Sequence, residues 1–402
     1  MNNSEKSNWL VVFVAVGAGV TAASFLGKAP PAIPLIRAEL DLDLVSAGWV
    51  VSIVAAMSMA VGMMAGLIAD IIGHRRLLMI GLAILALGGG AGAFAETPVF
   101  LLVTRFIEGV GYISVIVSAP SLIITSTLER HRHLALGIWG VFMPTGIALA
   151  MLVSPLLIGS FGWRGLWMGL AIFSALLIFV IRAANPPPRK KTANDRPPVM
   201  TSIRLVLAKP GPVLLALGFG LYAANWTSIM MWLPSFLVEQ RAMSIAAATM
   251  LGALIVAINI PGNVFGGVVL HHGAKRWQVI AVVHAIVGIS AIGIFSNSVP
   301  DWGRVVLCLV FSFVGGHLPA ACFASVPIHA PSRHQLSMIS GMLMQGSNTG
   351  NFFGPVVLAA IVTAVGGWEA VVWMVGGCST VGIVVALALG YFERNMDSSK
   401  QL

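Results

Sequence analysis

Gly66-Leu67-Ile68-Ala69-Asp70-Ile71-Ile72-Gly73-His74-Arg75-Arg76 joins two long apolar runs. Two hundred residues on, Gly266-Gly267-Val268-Val269-Leu270-His271-His272-Gly273-Ala274-Lys275-Arg276 does the same. The glycines and the basic residues coincide, and Leu270 stands where the first copy has Asp70. Two further landmarks repeat at nearly the same offset. Gly137 and Gly146 answer Gly341 and Gly350, and Gly162-Trp163-Arg164 answers Gly367-Trp368-Glu369. The chain therefore reads as two related halves, an arrangement that transporters use to place a solute site between repeats.

Composition sets the solvent. Hydrophobic residues make up 58% and charged residues 9%, with mean hydropathy +0.93. A soluble domain carries about 25% charged residues. Twelve runs reach the roughly 20 apolar residues a crossing helix needs. They lie near 9–34, 45–69, 77–95, 98–124, 134–159 and 165–184, then 212–237, 244–270, 277–297, 303–327, 338–365 and 369–391. Residues 1–184 and 212–402 form the two six-helix halves. Residues 185–211, with Pro186-Pro187-Pro188, Arg189-Lys190-Lys191 and Pro197-Pro198, read as a cytoplasmic linker. The second half ends in a short cytoplasmic tail.

The net charge of +9 reads as topology, not as a nucleic-acid surface. With the N-terminus in the cytoplasm, seventeen of the 23 Lys and Arg fall on the cytoplasmic side. Lys28, Arg37, Arg164, Arg241 and Arg304 fall at the outer edge, and Arg105 within a span. This matches the positive-inside bias. Both termini are expected inside the plasma (inner) membrane, and no cleavable signal peptide is read. Cys308, Cys322 and Cys378 sit in apolar runs without metal spacing, so neither a metal nor another cofactor is expected.

On these residues the chain resembles the major facilitator superfamily. Gly66, Asp70, Gly73 and Arg75 match its G-x-x-x-D-R-x-G-R-R loop, and Ile71 and His74 depart from it. Arg105-Phe106-Ile107-Glu108-Gly109-Val110-Gly111 is similar to its R-x-x-x-G-x-G. Gly137, Gly140, Pro144, Gly146 and Pro155 follow its Gly/Pro-rich fifth span. The resemblance implies an all-α membrane protein of twelve transmembrane helices in two pseudo-symmetric bundles, working by alternating access. Trp232-Leu233-Pro234, Ser340-Gly341 through Gly346, and Lys28-Ala29-Pro30 further resemble the cyanate/nitroimidazole-type permeases among the organic-anion carriers. Phe25-Leu26-Gly27-Lys28-Ala29-Pro30 replaces that branch's Asn-Leu-Arg-Pro.

Ionisable side chains inside a bilayer mark function or are neutralised by partners. Arg105 and Glu108 lie one turn apart on one face. Glu108 is the acid deep in a span, so it is the candidate for proton coupling or else the structural partner of Arg105. Lys28 either meets solute or snorkels to headgroups. His317, beside Gly315-Gly316 and Pro319, either lines a cavity or packs. Tyr222, Asn225 and Trp226 in span seven, and Gln345, Asn348 and Asn351 in span eleven, bind solute or bond between helices. Gly66, Asp70, Gly73, Arg75 and Arg76 form the gating motif, where the Asp70 carboxylate caps or pairs. Gly and Pro of span five act as a hinge or as close contacts, and Trp163 as an interfacial anchor.

Cations outnumber acid among these residues, which suits a small organic or inorganic anion. Two transport readings follow. One is an anion carrier using Lys28 and Arg105, coupled to protons through Glu108. The other is an exporter of drugs or metabolites with a plastic pocket of Trp139, Trp226, Met230 and Met231. The sequence lacks the motifs of hydrolases, nucleotide enzymes and metalloenzymes, and no enzyme is expected. A membrane scaffold is the remaining alternative. The partners expected are solute, protons and lipid, with the chain a monomer.

Overall fold

A computed structural model describes residues 7–62, 64–184, 199–330 and 336–398, without the side chains at 65–67, 70, 133, 199–202, 337 and 396–398. Every regular element it describes is helical. In chain order these are α1 (Trp9–Gly27), α2 (Ala29–Leu40), α3 (Leu44–Ser52), α4 (Ala56–Val61), α5 (Ala65–Ile72), α6 (His74–Gly92), α7 (Pro98–Ser126), α8 (Glu129–Gly140) and α9 (Phe142–Ala184). Then come α10 (Val199–Leu207), α11 (Pro210–Arg241), α12 (Ile245–Ala257), α13 (Asn259–His271), α14 (Arg276–Phe295), α15 (Asp301–Gly315), α16 (His317–His329), α17 (Leu336–Val365) and α18 (Val371–Ser398).

Eleven segments are long and apolar enough to cross a bilayer among the described residues. One of them, Glu129–Ala184, runs for 56 residues. It turns at Gly162 (φ 66°, ψ −176°), a conformation open essentially to glycine alone, and so contributes two crossings. The expected twelve spans are thus present. Residues 185–198 of the expected linker lie outside the described residues, and its later part forms α10.

The repeat is written in the backbone as well as in the sequence. Gly73 and Gly273 take φ of 92° and 91°, while Gly162 and Gly366 take 66° and 86°. Gly73 and Gly273 occupy matching positions of the two halves, Gly366 lies one residue ahead of Gly162's counterpart Gly367, and positive φ favours glycine at all four.

Helix starts follow local chemistry. Asn8, Asp43 and Thr97 each cap the helix that follows by accepting a backbone N–H. Breaks do as well. Pro30 and Pro31 have no N–H to give to the carbonyls of Leu26 and Gly27, and the first span divides there with Lys28 at the joint.

Packing divides the chain into two compact units. One comprises Met1–Ser58, Met64–Ala193 and Leu233–Ala257; the other comprises Met59–Met63, Asn194–Trp232 and Ile258–Leu402. In the first unit, α1 closes on α9 because Gly146 lies against the Val20 carbonyl, and Gly27 against the backbone of Ile147. In the second, α11 closes on α17 through Gly346 on Ala216, Gly350 on Gly220 and Gly354 on Ala224. Of the span-five glycines, Gly146 is therefore a close contact, whereas Gly137 and Gly140 have nothing near.

The hairpin Leu233–Ala257, made of the end of α11 with α12, belongs to the first unit. Gly252 of α12 meets Met151 of α9 and Pro234. Arg37 Nη1 of α2 donates to Glu239 Oε1 at 2.8 Å.

Candidate charge triad and the polar groups of the second unit

Lys28, Arg105 and Glu108 meet inside the first unit, all with no exposed side-chain surface. Lys28 Nζ donates to Glu108 Oε1 at 2.7 Å, and Arg105 Nη1 donates to Glu108 Oε2 at 2.5 Å. The pairing of Arg105 with Glu108 follows from their i,i+3 spacing on α7. Lys28 arrives from the joint between α1 and α2, eighty residues away in sequence. It does not snorkel, because its ammonium is buried.

Backbone and aromatic groups complete the triad. Arg105 Nε donates to the Val50 carbonyl at 2.9 Å, and Nη1 also to that of Phe25 at 2.7 Å. Lys28 Nζ stands 4.3 Å from the ring centroids of both Phe25 and Trp167, inside the range of cation–π attraction. Arg105 Nη2 and Trp167 Nε1 are buried with no hydrogen-bond partner among the described residues.

The wall of this site is the glycine run of α6. A Cβ on Gly88 would stand 3.1 Å from Glu108 Cγ, one on Gly89 2.7 Å from the Phe25 ring, and one on Gly92 2.9 Å from Trp167 Cδ1. Reasoning from sequence missed this run, as it missed Phe25 and Trp167. The run Gly88-Gly89-Gly90-Ala91-Gly92 was the available signal: so many small residues in one span mark where another element approaches.

The charge balance has consequences. Two cations share one carboxylate, and both of its oxygens are taken. With Lys28, Arg105 and Glu108 all ionised, these three side chains carry one net positive charge, offset by carbonyls and aromatic faces. An unbalanced buried charge is disfavoured by several kcal/mol, so the arrangement favours any further negative group that can reach it.

The polar residues of the second unit have local partners. Asn225 Nδ2 donates to Ser379 Oγ at 3.1 Å and to the Val375 carbonyl at 3.4 Å. Asn351 Oδ1 accepts from Thr227 at 2.5 Å, and Asn348 Nδ2 donates to Met344 on its own helix at 2.8 Å. Gln345 is half-buried. His317, also half-buried, has Nδ1 3.1 Å from the Phe313 carbonyl and lies edge-on to the Phe265 and Phe313 rings. Tyr222 and Trp226 share a face of α11 and lie against Gly315 where the tenth span breaks. Pro319 leaves the Gly315 carbonyl without its helical donor. The Trp226 indole N–H is buried with no partner among the described residues.

Of the residues expected to form a gate, Gly73 makes its turn with positive φ, and half-buried Arg75 and exposed Arg76 open α6. Gly66 and Asp70 fall in α5, and the Asp70 side chain lies outside the described residues. Trp163 is buried. Its indole donates to Glu39 Oε2 at 2.6 Å, Arg164 pairs with the same carboxylate, and Arg164 Nη2 donates to the Ala95 carbonyl at 2.8 Å. The motif ties α2 to the turn at Gly162.

Comparison with known proteins agrees with this architecture. The putative niacin/nicotinamide transporter NiaP of Bacillus subtilis is 23% identical over 336 residues, covering 82% of each chain. The probable sulfoacetate transporter SauU of Cupriavidus necator is 23% identical over 381 residues, covering 89% of this chain and 87% of its own. The crystal structure of a bacterial homolog of the human lysosomal transporter Spinster, inward-facing and unoccupied, shares the fold with a TM-score of 0.81 at 17% identity, over 97% of this chain and 98% of that one. Residues 9–341 match the Major Facilitator Superfamily, so this multi-pass membrane chain belongs to that family of small-solute transporters.

Proposed function

We propose that the chain carries a small anion across the plasma membrane in step with a proton. The observation behind this reading is the buried triad, in which Lys28 and Arg105 share the single carboxylate of Glu108. A proton on Glu108 removes the charge that both cations face. Lys28 and the guanidinium fork of Arg105 are then free for the oxygens of a carboxylate or similar oxyanion, geometry that Arg recognises well. When solute leaves, Glu108 loses its proton and takes back both partners.

Trp226 and Tyr222 fit a role in holding the uncharged part of the solute. Asn225, His317, Gln345, Asn348 and Asn351 order the helices around them. A relative named for sulfoacetate, an anion, supports the anion reading. So does the resemblance of Lys28-Ala29-Pro30 to the organic-anion permease branch. The distribution of Lys and Arg supports an orientation with both termini in the cytoplasm.

Thermal stabilisation of the purified protein by a panel of small carboxylates, sulfonates, inorganic anions and lipophilic cations tests the reading, with Lys28→Ala alongside. A ligand that binds the folded state raises the melting temperature. Stabilisation by anions that is lost in Lys28→Ala supports the triad as the anion site. Stabilisation by lipophilic cations alone, unchanged by the substitution, favours the exporter.

A further inference from the structure

The ends of the crossing segments leave a cavity at one surface of the first unit. α6 closes at Gly92, α7 opens at Pro98, and α9 turns at Gly162 between its two crossings. Residues between these points stand at the depth of a bilayer's headgroups. There a cavity of about 470 Å³ is lined by Ala93, Phe94 and Glu96 and, across from them, by Arg164, Gly165 and Met168. That volume lies in the range of small-molecule sites. The lining shares no residue with the triad.

The chemistry of the cavity is divided. Phe94 is 71% exposed, and so is Phe161, which stands beside Gly165. Large apolar side chains left this open mark a surface for membrane or ligand. Two opposite charges stand with them. Arg164 is held in place by its pair with Glu39, by donation to the Ala95 carbonyl, and by the Trp163 ring, whose centroid lies 4.5 Å from its Cζ. A guanidinium has five N–H donors, so these contacts leave others for an incoming anion, and 35% of the side chain is exposed. Glu96 is exposed, and no ion pair holds its carboxylate among the described residues.

A fixed guanidinium, an open carboxylate and an apolar surface fit one molecule that carries a phosphate, a primary ammonium and acyl chains. Phosphate suits the planar fork of Arg. A primary ammonium gives a carboxylate N–H donors. A choline headgroup brings the charge without an N–H, and a glycerol headgroup brings no positive charge at all.

We propose that this cavity is a headgroup site for an aminophospholipid of the phosphatidylethanolamine type, with its phosphate on Arg164, its ammonium on Glu96 and its acyl chains over Phe94 and Phe161. The assignment does not depend on which solute the chain carries.

Native mass spectrometry of the intact protein in detergent tests the site, with phosphatidylethanolamine, phosphatidylcholine and phosphatidylglycerol of identical acyl chains added singly. Wild type is expected to bind the ethanolamine lipid about five-fold more tightly than the other two, the upper range for an exposed ion pair. Glu96→Gln is expected to abolish that preference. Glu96→Lys is expected to turn it towards the glycerol lipid, a gain that a damaged protein does not show. A phosphatidylethanolamine with a photoreactive group beside its glycerol is expected to crosslink to peptides that hold residues 93–96 and 161–168. Glycerophosphoethanolamine, the same headgroup without chains, is expected not to displace the lipid at equal concentration.

Equal binding of the three lipids by wild type, an ethanolamine preference that survives in Glu96→Gln, or crosslinks confined to other helices overturns the site. Displacement by glycerophosphoethanolamine at equal concentration overturns lipid as the occupant.

Discussion

Lys28 and Glu108 are joined at 2.7 Å with neither side chain exposed, and the same carboxylate holds Arg105. Removing the one acid leaves two buried cations facing each other, whereas removing Lys28 leaves a balanced pair. Taking a single partner from a buried ionic group is disfavoured by about 3–5 kcal/mol. Glu108→Ala is therefore expected to melt lowest, Lys28→Met clearly higher, and Lys28→Met combined with Glu108→Gln above Glu108→Ala. Melting curves in detergent at neutral pH check the order. A Glu108→Ala protein as stable as wild type refutes the surplus-charge account.

The proposed proton coupling through Glu108 would separate drive from movement. In proteoliposomes, Glu108→Gln is expected to abolish anion accumulation driven by a pH gradient while retaining exchange of labelled for unlabelled anion. The amide still fills the site but carries no transferable proton. Accumulation that persists in this variant assigns the coupling to another group.

The glycine wall of α6 predicts a steric phenotype. A side chain at Gly92 lands on Trp167, and one at Gly88 lands on Glu108. Overpacking of a tight interior costs about 1–3 kcal/mol. Gly92→Leu is expected to lower the melting temperature and to weaken solute-dependent stabilisation at least ten-fold. Gly90→Ala has only the Ala171 side chain nearby, at 3.9 Å, and is expected to change neither.

Gly162 isolates backbone strain from crowding. Its φ is 66° and nothing lies within 4 Å of where a Cβ would stand. Gly162→Ala is expected to cost about 1–3 kcal/mol through conformation alone. Gly159→Ala, also in open space but without positive φ, serves as the control and is expected to melt as wild type does.

Asp43 lies in the turn ahead of α3, outside the spans. The backbone N–H of Ser46, and then its side chain, hold the Asp43 carboxyl below its ordinary pKa. A lowered pKa means that the ionised cap stabilises the folded state above the unfolded value of about 3.9, and that this contribution is lost as pH falls through the lowered folded value. Asp43→Ala is expected to remove a cap worth about 1 kcal/mol and to speed amide exchange in the first turn of α3 at neutral pH. Asp43→Asn is expected to keep the cap and to lose its pH dependence.

The sequence by itself determined the class of solvent, the twelve crossings, the two-fold repeat and the local pairing of Arg105 with Glu108. Each of these is settled residue by residue or within one helical turn, because apolar runs partition into lipid and side chains three apart share a helix face. Only the tertiary structure decided that Lys28 closes on Glu108, and that Phe25 and Trp167 enclose it. It alone placed Trp163 on Glu39 and grouped the Leu233–Ala257 hairpin with the first unit. In a membrane every helix is apolar on most faces, so hydrophobicity does not say which helix meets which. That choice falls to the few positions, such as Gly27, Gly92 and Gly146, where the absence of a side chain lets one backbone reach another element.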